Sequence, residues 1–343
     1  MLPSSLLDNT VQITIDDRLL ILNSAADPFV PGAAGRLISG ELVLAEDNIA
    51  SLQLAQSALA REHIKTQVRI RHVPFHEYTL HEPPATIDVA IMNMLYQPGN
   101  AWMIYGLQVA AYALKPGGRL YVVGAKDRGV LSMAKRMRSL FGNGETLAIS
   151  KGQRILSSRR EHNLQVVVGA QFIAPFAGGK LDEGTRLLLE ALEVHTTDVA
   201  LDIGCGAGFI GTHIARLASK GHVTMVDASL AAVDAARRMV EQSGLTNVQV
   251  LPGDGIQAVR EQRFDLVVTN PPFHLGGIQT IETGGRFIRE AAQVLRPRGR
   301  FYLVANRFLK YEPTLRACFK TVEEVKGNSR YKVLRASNDH QHP

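Results

Sequence analysis

The sequence predicts an α/β protein of two tandem domains, the N-terminal one degenerate, and three observations predict it. The C-terminal half alternates short apolar runs with helical patterns, as a parallel sheet covered by helices requires. Two segments of that half recur, in the same order, in the N-terminal half at a period of about 180 residues. The chain of 343 residues is too long for one ordinary core and suits two.

In the C-terminal half, Val199–Ile203 reads as a buried strand, followed by a glycine turn and a helix from about Phe209. His222–Val226 is the next strand, with a helical stretch from Leu230 to Gln242 behind it. Val248–Leu251, Phe264–Thr269 and Arg300–Val304 supply three more strands. Thr321–Lys326 and Tyr331–Ala336 flank Gly327-Asn328-Ser329, a turn sequence that predicts an antiparallel hairpin closing the parallel sheet.

The N-terminal half carries the echo. Ile87-Asp88-Val89-Ala90-Ile91-Met92-Asn93 matches Phe264-Asp265-Leu266-Val267-Val268-Thr269-Asn270, and Leu114-Lys115-Pro116-Gly117-Gly118-Arg119 matches Leu295-Arg296-Pro297-Arg298-Gly299-Arg300. Each hexapeptide runs into an apolar strand, Leu120–Val123 and Phe301–Val304. The chemistry has not been kept with the strands. Where a glycine loop should follow the first strand stands Asn23-Ser24-Ala25-Ala26-Asp27-Pro28, and Asn93-Met94-Leu95-Tyr96 stands opposite Asn270-Pro271-Pro272-Phe273. We therefore expect a degenerate domain over residues 1–125, a basic linker over 126–165 and a catalytic domain over 166–343.

Composition excludes several classes. Hydrophobic residues at 45% and charged residues at 20% are ordinary for a globular protein. Met1–Thr10 has neither a basic nor an apolar segment of a secretory signal, and no run approaches the ~20 apolar residues of a membrane span. Two cysteines, Cys205 and Cys318, are too few for a disulfide framework or a cysteine-rich zinc site, so no metal is expected and a cytoplasmic location is. The net charge of +6 suits a polyanionic partner. It is concentrated: between Lys126 and Glu161 nine basic residues face three acidic ones, a surplus equal to that of the whole chain. Arg159 and Arg160 in that stretch are candidates for phosphate contacts, with a solvated linker as the plainer alternative.

The strongest local signal is Leu201-Asp202-Ile203-Gly204-Cys205-Gly206-Ala207-Gly208-Phe209. Glycines at alternate positions let the backbone turn sharply and approach a ligand, and the next helix presents its N-terminal N–H groups to it. A dinucleotide fingerprint would need glycine where Phe209 stands. The pattern instead accommodates the methionine end of S-adenosylmethionine, with Asp202 available to its ammonium. Asp227 ends the second strand, where a carboxylate can accept from both ribose hydroxyls or simply cap a helix. Asp254, in Gly253-Asp254-Gly255, can accept from the adenine amino group or form an ordinary turn.

Asn270-Pro271-Pro272-Phe273 is the decisive motif. An exocyclic amine on a base is a poor nucleophile because its lone pair is delocalised into the ring. Two acceptors that hold its hydrogens aim the lone pair at a sulfonium methyl, and the Asn270 side-chain oxygen and the Pro271 carbonyl can supply them while the prolines fix the loop. Phe273 can stack on the extracted base, with Pro272 beside it. His274 can touch the base edge or be a plain loop histidine. A catalytic general base is not obligatory, because the methylated amine is acidic once cationic. Cys205 is not expected to act as a thiol.

With these motifs in order, the stretch from Leu181 to Ala336 resembles the class I methyltransferases that act on amino nitrogens, which implies two Rossmann-like domains in this chain. Asn-Pro-Pro-Phe-His-Leu-Gly, the tandem degenerate and intact halves and the total length resemble, more specifically, the ribosomal small-subunit guanine-N2 methyltransferase C family, RsmC. That resemblance implies S-adenosylmethionine as cofactor and a guanine in helix 34 of 16S rRNA, in the assembled small subunit, as target. It also implies that the N-terminal domain supports substrate binding and folding, and that Phe176–Thr185 lies against the cofactor. A monomer is expected, although pairing of the domains within or between chains stays open. Rival readings are the large-subunit guanine-N2 enzyme, an adenine-N6 DNA methyltransferase, a glutamine-amide methyltransferase of release factors, and a non-catalytic rRNA-binding assembly factor. A DNA enzyme would need a target-recognition domain that is not seen, a protein enzyme leaves the basic stretch without a role, and the intact motifs argue against a purely structural protein.

Overall fold

The computed structural model describes residues 3–62, 64, 67–161, 181–271 and 279–338. The chain divides into two compact units, Met1–Ile173 and Ala174–Pro343.

The first unit runs α1 (Pro3–Thr10), β1 (Arg18–Leu22), α2 (Phe29–Gly35), β2 (Glu41–Glu46), α3 (Ile49–Leu59), β3 (Arg69–Pro74), α4 (Tyr78–His81), β4 (Ile87–Asn93), α5 (Asn100–Ala113), β5 (Leu114–Ala125), α6 (Val130–Phe141), β6 (Glu145–Ser150) and β7 (Gln153–Arg159). The second runs α7 (Glu183–Ala191), β8 (Val199–Ile203), α8 (Phe209–Leu217), β9 (His222–Asp227), α9 (Leu230–Ser243), β10 (Val248–Pro252), β11 (Phe264–Thr269), α10 (Gln279–Val294), β12 (Leu295–Asn306), α11 (Glu312–Cys318), β13 (Thr321–Gly327) and β14 (Tyr331–Ser337). Each unit builds one seven-stranded sheet, in the orders β3-β2-β1-β4-β5-β7-β6 and β10-β9-β8-β11-β12-β14-β13. The two orders are the same. Five strands are parallel and the last two join them antiparallel, as the β12–β14 and β5–β7 pairings show.

The second sheet is buried on both faces, which is why its strands read as unbroken apolar runs. Leu201, Ile203, Val267, Phe301 and Leu303 point to the face covered by Phe287, Ile288 and Ala291 of α10 and Leu315 of α11. Ala200, Leu266, Val268, Tyr302 and Val304 point to the other face, under Leu187 and Leu188 of α7, Ile210 and Ile214 of α8, and Val233 of α9. The alternation is the period of two that a pleated strand imposes. Burying a side chain of this size contributes about 1.5–3 kcal/mol.

The residues that betray the duplication turn out to be structural. Asp265 Oδ2 accepts from the Val199 N–H at 3.0 Å and from Arg296 at 2.7 Å. Asp88 Oδ2 accepts from the Arg18 N–H at 2.9 Å and pairs with Lys115. In each unit a carboxylate on the fourth strand thus pins the start of the first strand and the turn into the fifth. Gly118 and Gly299 are equivalent too: a Cβ on Gly118 would lie 3.1 Å from the Ile87 carbonyl, and one on Gly299 3.1 Å from that of Phe264.

The expected basic linker needs correction. Its described part, through Glu161, contains α6, β6 and β7, and β7 pairs with β5 from Ala125↔Gln153 to Arg119↔Arg159. Val130, Met133, Met137 and Phe141 line the buried side of α6, and Ile155 and Leu156 bury β7. The charges are the outer face of the closing hairpin and its helix, so the first domain does not end at residue 125. Residues 162–165 lie outside the described residues.

Candidate active site

The second sheet changes strand direction of growth between β8 and β11, and the crevice outside the carboxyl ends at such a point is where open α/β sheets bind ligands. Thr269 sits beside Ile203, and its Oγ1 donates to the Ile203 carbonyl at 2.8 Å, tying together the two loops that leave these strands. The loop after β8 is the glycine loop. Gly204, Gly206 and Gly208 all have left-handed φ, of 72°, 54° and 86°. A Cβ on Gly208 would meet Ala236 at 3.1 Å, so this glycine is demanded by close packing of α9. A Cβ on Gly206 would meet nothing within 4 Å among the described residues. Gly206 therefore leaves space, among the described residues, at the loop's tip beside the N-terminus of α8.

Three of the sequence-predicted acids lie on this carboxyl edge. Asp227, at the end of β9, accepts from the Gly206 N–H at 2.9 Å and from the Ser229 N–H at 2.8 Å, so it braces the glycine loop as well as the turn into α9. Asp202 is fully buried beneath the loop; Oδ2 accepts from the Gly211 N–H of α8 at 2.9 Å, while Oδ1 is buried without a hydrogen-bond partner among the described residues. Burial, reinforced by the charge of Asp227 and opposed by the Gly211 N–H, pushes its carboxyl up to about 7. Asp254, after β10, is bonded through Oδ1 to the Arg286 guanidinium of α10, and Arg286 also pairs with Glu290 at 3.3 Å. Arg286 and Glu290 escaped the sequence reading because both lie on a helix more than thirty residues from the loop they hold. Cys205 is buried, and burial pushes its thiol far up, in keeping with a packing role.

Asn270 follows β11 directly, next to the glycine loop, and Pro271 is buried. The Asn270 Nδ2 donates to Thr185 Oγ1 at 2.8 Å and, at the limit of 3.5 Å, to Asp182 Oδ2. Its Oδ1 is buried with no hydrogen-bond partner among the described residues. Pro272, Phe273 and His274 lie outside the described residues, as does Phe176 with the rest of its stretch up to residue 180. Asp182 and Thr185 fall in the stretch expected against the cofactor, but neither was singled out, and their tie to Asn270 was missed. Asp182 is legible as a helix N-cap, but its tie to Asn270 spans 88 residues and leaves no local signal.

The corresponding place in the first sheet is filled by the protein itself. Glu46, at the end of β2, accepts from the N–H groups of Ala25 at 2.8 Å, Asp47 at 3.1 Å and Asn48 at 2.9 Å. Gln97 Nε2 donates to the carbonyls of Leu22, Asn23 and Asn93. Asn93, the counterpart of Asn270, donates to Asp27 at 2.7 Å and uses its Oδ1 to accept from the Leu95 N–H at 3.0 Å. The oxygen of that amide, unlike that of Asn270, already has a partner.

Arg159 and Arg160 serve the first sheet. Arg159 Nε donates to the Gly117 carbonyl at 3.0 Å, and Arg160 Nη1 to the Leu114 carbonyl. Arg160 is half-buried, and burial lowers its pKa. By contrast Lys126, Arg128, Lys135, Arg136, Arg138 and Lys151 are exposed and have no ion pair among the described residues. Lys126 and Lys151 are neighbours, since the Lys126 N–H donates to the Gly152 carbonyl at 3.0 Å.

A family model described as the methyltransferase small domain matches residues 172–335. Ribosomal RNA small subunit methyltransferase C of Hahella chejuensis is 34% identical over 254 residues, covering 67% of this chain and 72% of that protein. The same-named protein of Shewanella loihica is 30% identical over 271 residues, covering 74% and 78%. Among solved structures, the T. thermophilus 16S rRNA N2 G1207 methyltransferase (RsmC) in complex with AdoMet and guanosine matches with a TM-score of 0.81 and 28% identity, over 98% of this chain and 91% of that one. Shared sequence over most of the length and the same pair of domains give one conclusion: the chain belongs to the ribosomal RNA small subunit methyltransferase C family.

Proposed function

We propose that this chain transfers a methyl group from S-adenosylmethionine to the exocyclic N2 of a guanine in helix 34 of 16S rRNA. We propose further that it acts as a cytoplasmic monomer on the assembled small subunit. The single observation that carries the chemistry is the Asn270 Oδ1: a buried acceptor, without a partner among the described residues, at the switch point beside the glycine loop.

Bound S-adenosylmethionine supplies a methyl group on a sulfonium. The residues present fit such a ligand. Gly206 leaves room for it among the described residues, Asp202 offers its ammonium a buried oxygen that has no partner among them, Asp227 a carboxylate to its ribose and Asp254 one to its adenine. The chain's own work is to hold the guanine amine. Asn270 Oδ1 and the Pro271 carbonyl accept its two hydrogens and so turn the nitrogen lone pair toward the methyl, which is catalysis by orientation. Pro272, Phe273 and His274 take the face and edge of the base. The proton released after transfer leaves to water, with no side chain required to take it. Lys126, Arg128, Lys135, Arg136, Arg138 and Lys151, with the exposed Arg159, meet phosphates; Arg160 serves the fold rather than the RNA.

The test is transfer of labelled methyl by the purified chain to unmodified small subunits, large subunits, free rRNA and total protein. N2-methylguanosine in small subunits alone is the expected result. Label confined to large-subunit RNA or to protein would overturn the target. Asn270→Ala should lower transfer at least ~100-fold while leaving cofactor affinity within about threefold, because the lost interaction is made only with the reacting amine. Normal turnover by that variant would remove the amine-aiming role.

A further inference from the structure

We infer that Thr185 and Asp182 are positioning residues that decide which way round the Asn270 amide sits; the inference rests on the amine-aiming role proposed for that amide. The two ends of an amide are nearly the same size, so packing cannot tell them apart and only hydrogen bonding can. Turned one way, Asn270 shows an acceptor to the guanine amine. Turned the other way, it shows an N–H₂ group, and two donors face each other.

The polarity is set by a chain of three groups. A carboxylate can only accept. Asp182 Oδ1 accepts from the Thr185 N–H at 2.9 Å, and Oδ2 accepts from the Thr185 hydroxyl at 2.5 Å. The hydroxyl has one proton, and it is committed to Asp182. Thr185 Oγ1 can therefore only accept from its other neighbour, and what it accepts is the Asn270 Nδ2 hydrogen, at 2.8 Å. A flipped amide would set Oδ1 against the lone pairs of Thr185 and within reach of Asp182. The chain is also rigid. Thr185 is 5% exposed in the first turn of α7, and Asp182 is fixed by capping that helix. Oδ1 is left as the buried end that has no partner among the described residues. Asn93 provides the contrast inside the same molecule. Its amide is also fixed, by Asp27, yet its Oδ1 is spent on the Leu95 N–H.

The experiment measures kcat, cofactor KM and thermal midpoint on the full chain, with unmodified small subunits as substrate. Thr185→Val keeps shape and removes the hydroxyl. Thr185→Ser keeps the hydroxyl. Asp182→Asn keeps the helix cap, because its oxygen still accepts from the Thr185 N–H. Its N–H₂ then faces Thr185 Oγ1, sends the hydroxyl proton toward Asn270 and reverses the chain. Thr185→Val and Asp182→Asn should each lower kcat roughly ten- to hundredfold, the scale of a misplaced reacting group. Cofactor KM should stay within about threefold, and Thr185→Ser should stay within about threefold of the parent kcat. If Thr185→Val does not fold, Asp182→Asn carries the same expectation. Parent-like kcat in Asp182→Asn overturns the inference, and so do losses that come with an equal loss of cofactor affinity or a fall in midpoint. An Asn270→Ala variant that still turns over defeats the function on which this rests; Asn270→Ala dead with Thr185→Val fully active defeats the positioning role alone.

Discussion

Two buried acids at the carboxyl edges of the two sheets, Glu46 ending the second strand of its unit and Asp202 in the first strand of the other, show how much one residue's surroundings decide. Glu46 in the first unit and Asp202 in the second are both buried, and burial pushes each carboxyl up to about 7. Glu46 spends both oxygens on backbone N–H groups, whereas Asp202 keeps one without a partner among the described residues. An acid whose folded pKa lies above its unfolded value stabilises the fold below the unfolded value, near 3.8 for Asp202, and that contribution is lost as pH rises through about 7. Asp202→Asn keeps an acceptor for the Gly211 N–H and does not titrate. The stability of Asp202→Asn relative to the parent should therefore grow between pH 4 and pH 7 by up to ~1.4 kcal/mol per pH unit, and stay level above that. A cation bound beside Asp202 favours the carboxylate, so parent affinity for S-adenosylmethionine should rise through the same window and that of the variant should not. Chemical denaturation and cofactor titration across this range check both. A stability difference that does not change with pH would show that Asp202 keeps one protonation state throughout.

At the scale of elements, sequence and structure part company where charge masks burial. The strands β8 to β12 were legible because burial on both faces writes an unbroken apolar run. The glycine loop was legible because left-handed φ at Gly204, Gly206 and Gly208 restricts the residue type. The α6–β6–β7 segment was not, since its buried stripe of Val130, Met133, Met137 and Phe141 lies among exposed cations that dominate the composition. The ties of Asp182 and Thr185 to Asn270, and of Arg286 to Asp254, were unreadable for another reason: they are set by the packing of helices on the sheet, and nothing in the local pattern records them. The correction changes how the phosphate hypothesis should be tested. Removing Arg159 or Arg160 would disturb the turn into β5, because their partners are the carbonyls of Gly117 and Leu114. Lys135, Arg136 and Arg138 of α6 are exposed and have no ion pair among the described residues, so changing all three to Ala should cost the fold little. If each meets a phosphate, log–log salt dependence of binding to small-subunit RNA should flatten by roughly 2, at about 0.7 per contact. An unchanged slope would leave α6 as a solvated face.

Across the whole molecule, one fold has been kept twice and its chemistry once. The shared strand order and the paired anchors Asp88 with Lys115 and Asp265 with Arg296 preserve the scaffold in both units. What separates the units is whether the carboxyl edge of the sheet is left open. In the second unit, Gly206 leaves space and two buried oxygens, on Asp202 and Asn270, have no partner among the described residues. In the first, Gln97 donates across the carbonyls of Leu22, Asn23 and Asn93, and the Asn93 amide is bonded to Asp27 and to the Leu95 N–H. A buried polar group that already has its partner gives a ligand nothing to gain, and displacing it leaves that group unsatisfied. The chain should accordingly bind S-adenosylmethionine at one site, not two. Titration calorimetry on the full chain should give one cofactor per chain, and Asp227→Ala, which removes both the proposed ribose acceptor and the brace on Gly206, should weaken that one event at least ~10-fold, with no second event uncovered. Two cofactors per chain, or residual binding that Asp227→Ala leaves at parent strength, would mean that Gln97 yields to the ligand and that the first unit still holds a working site.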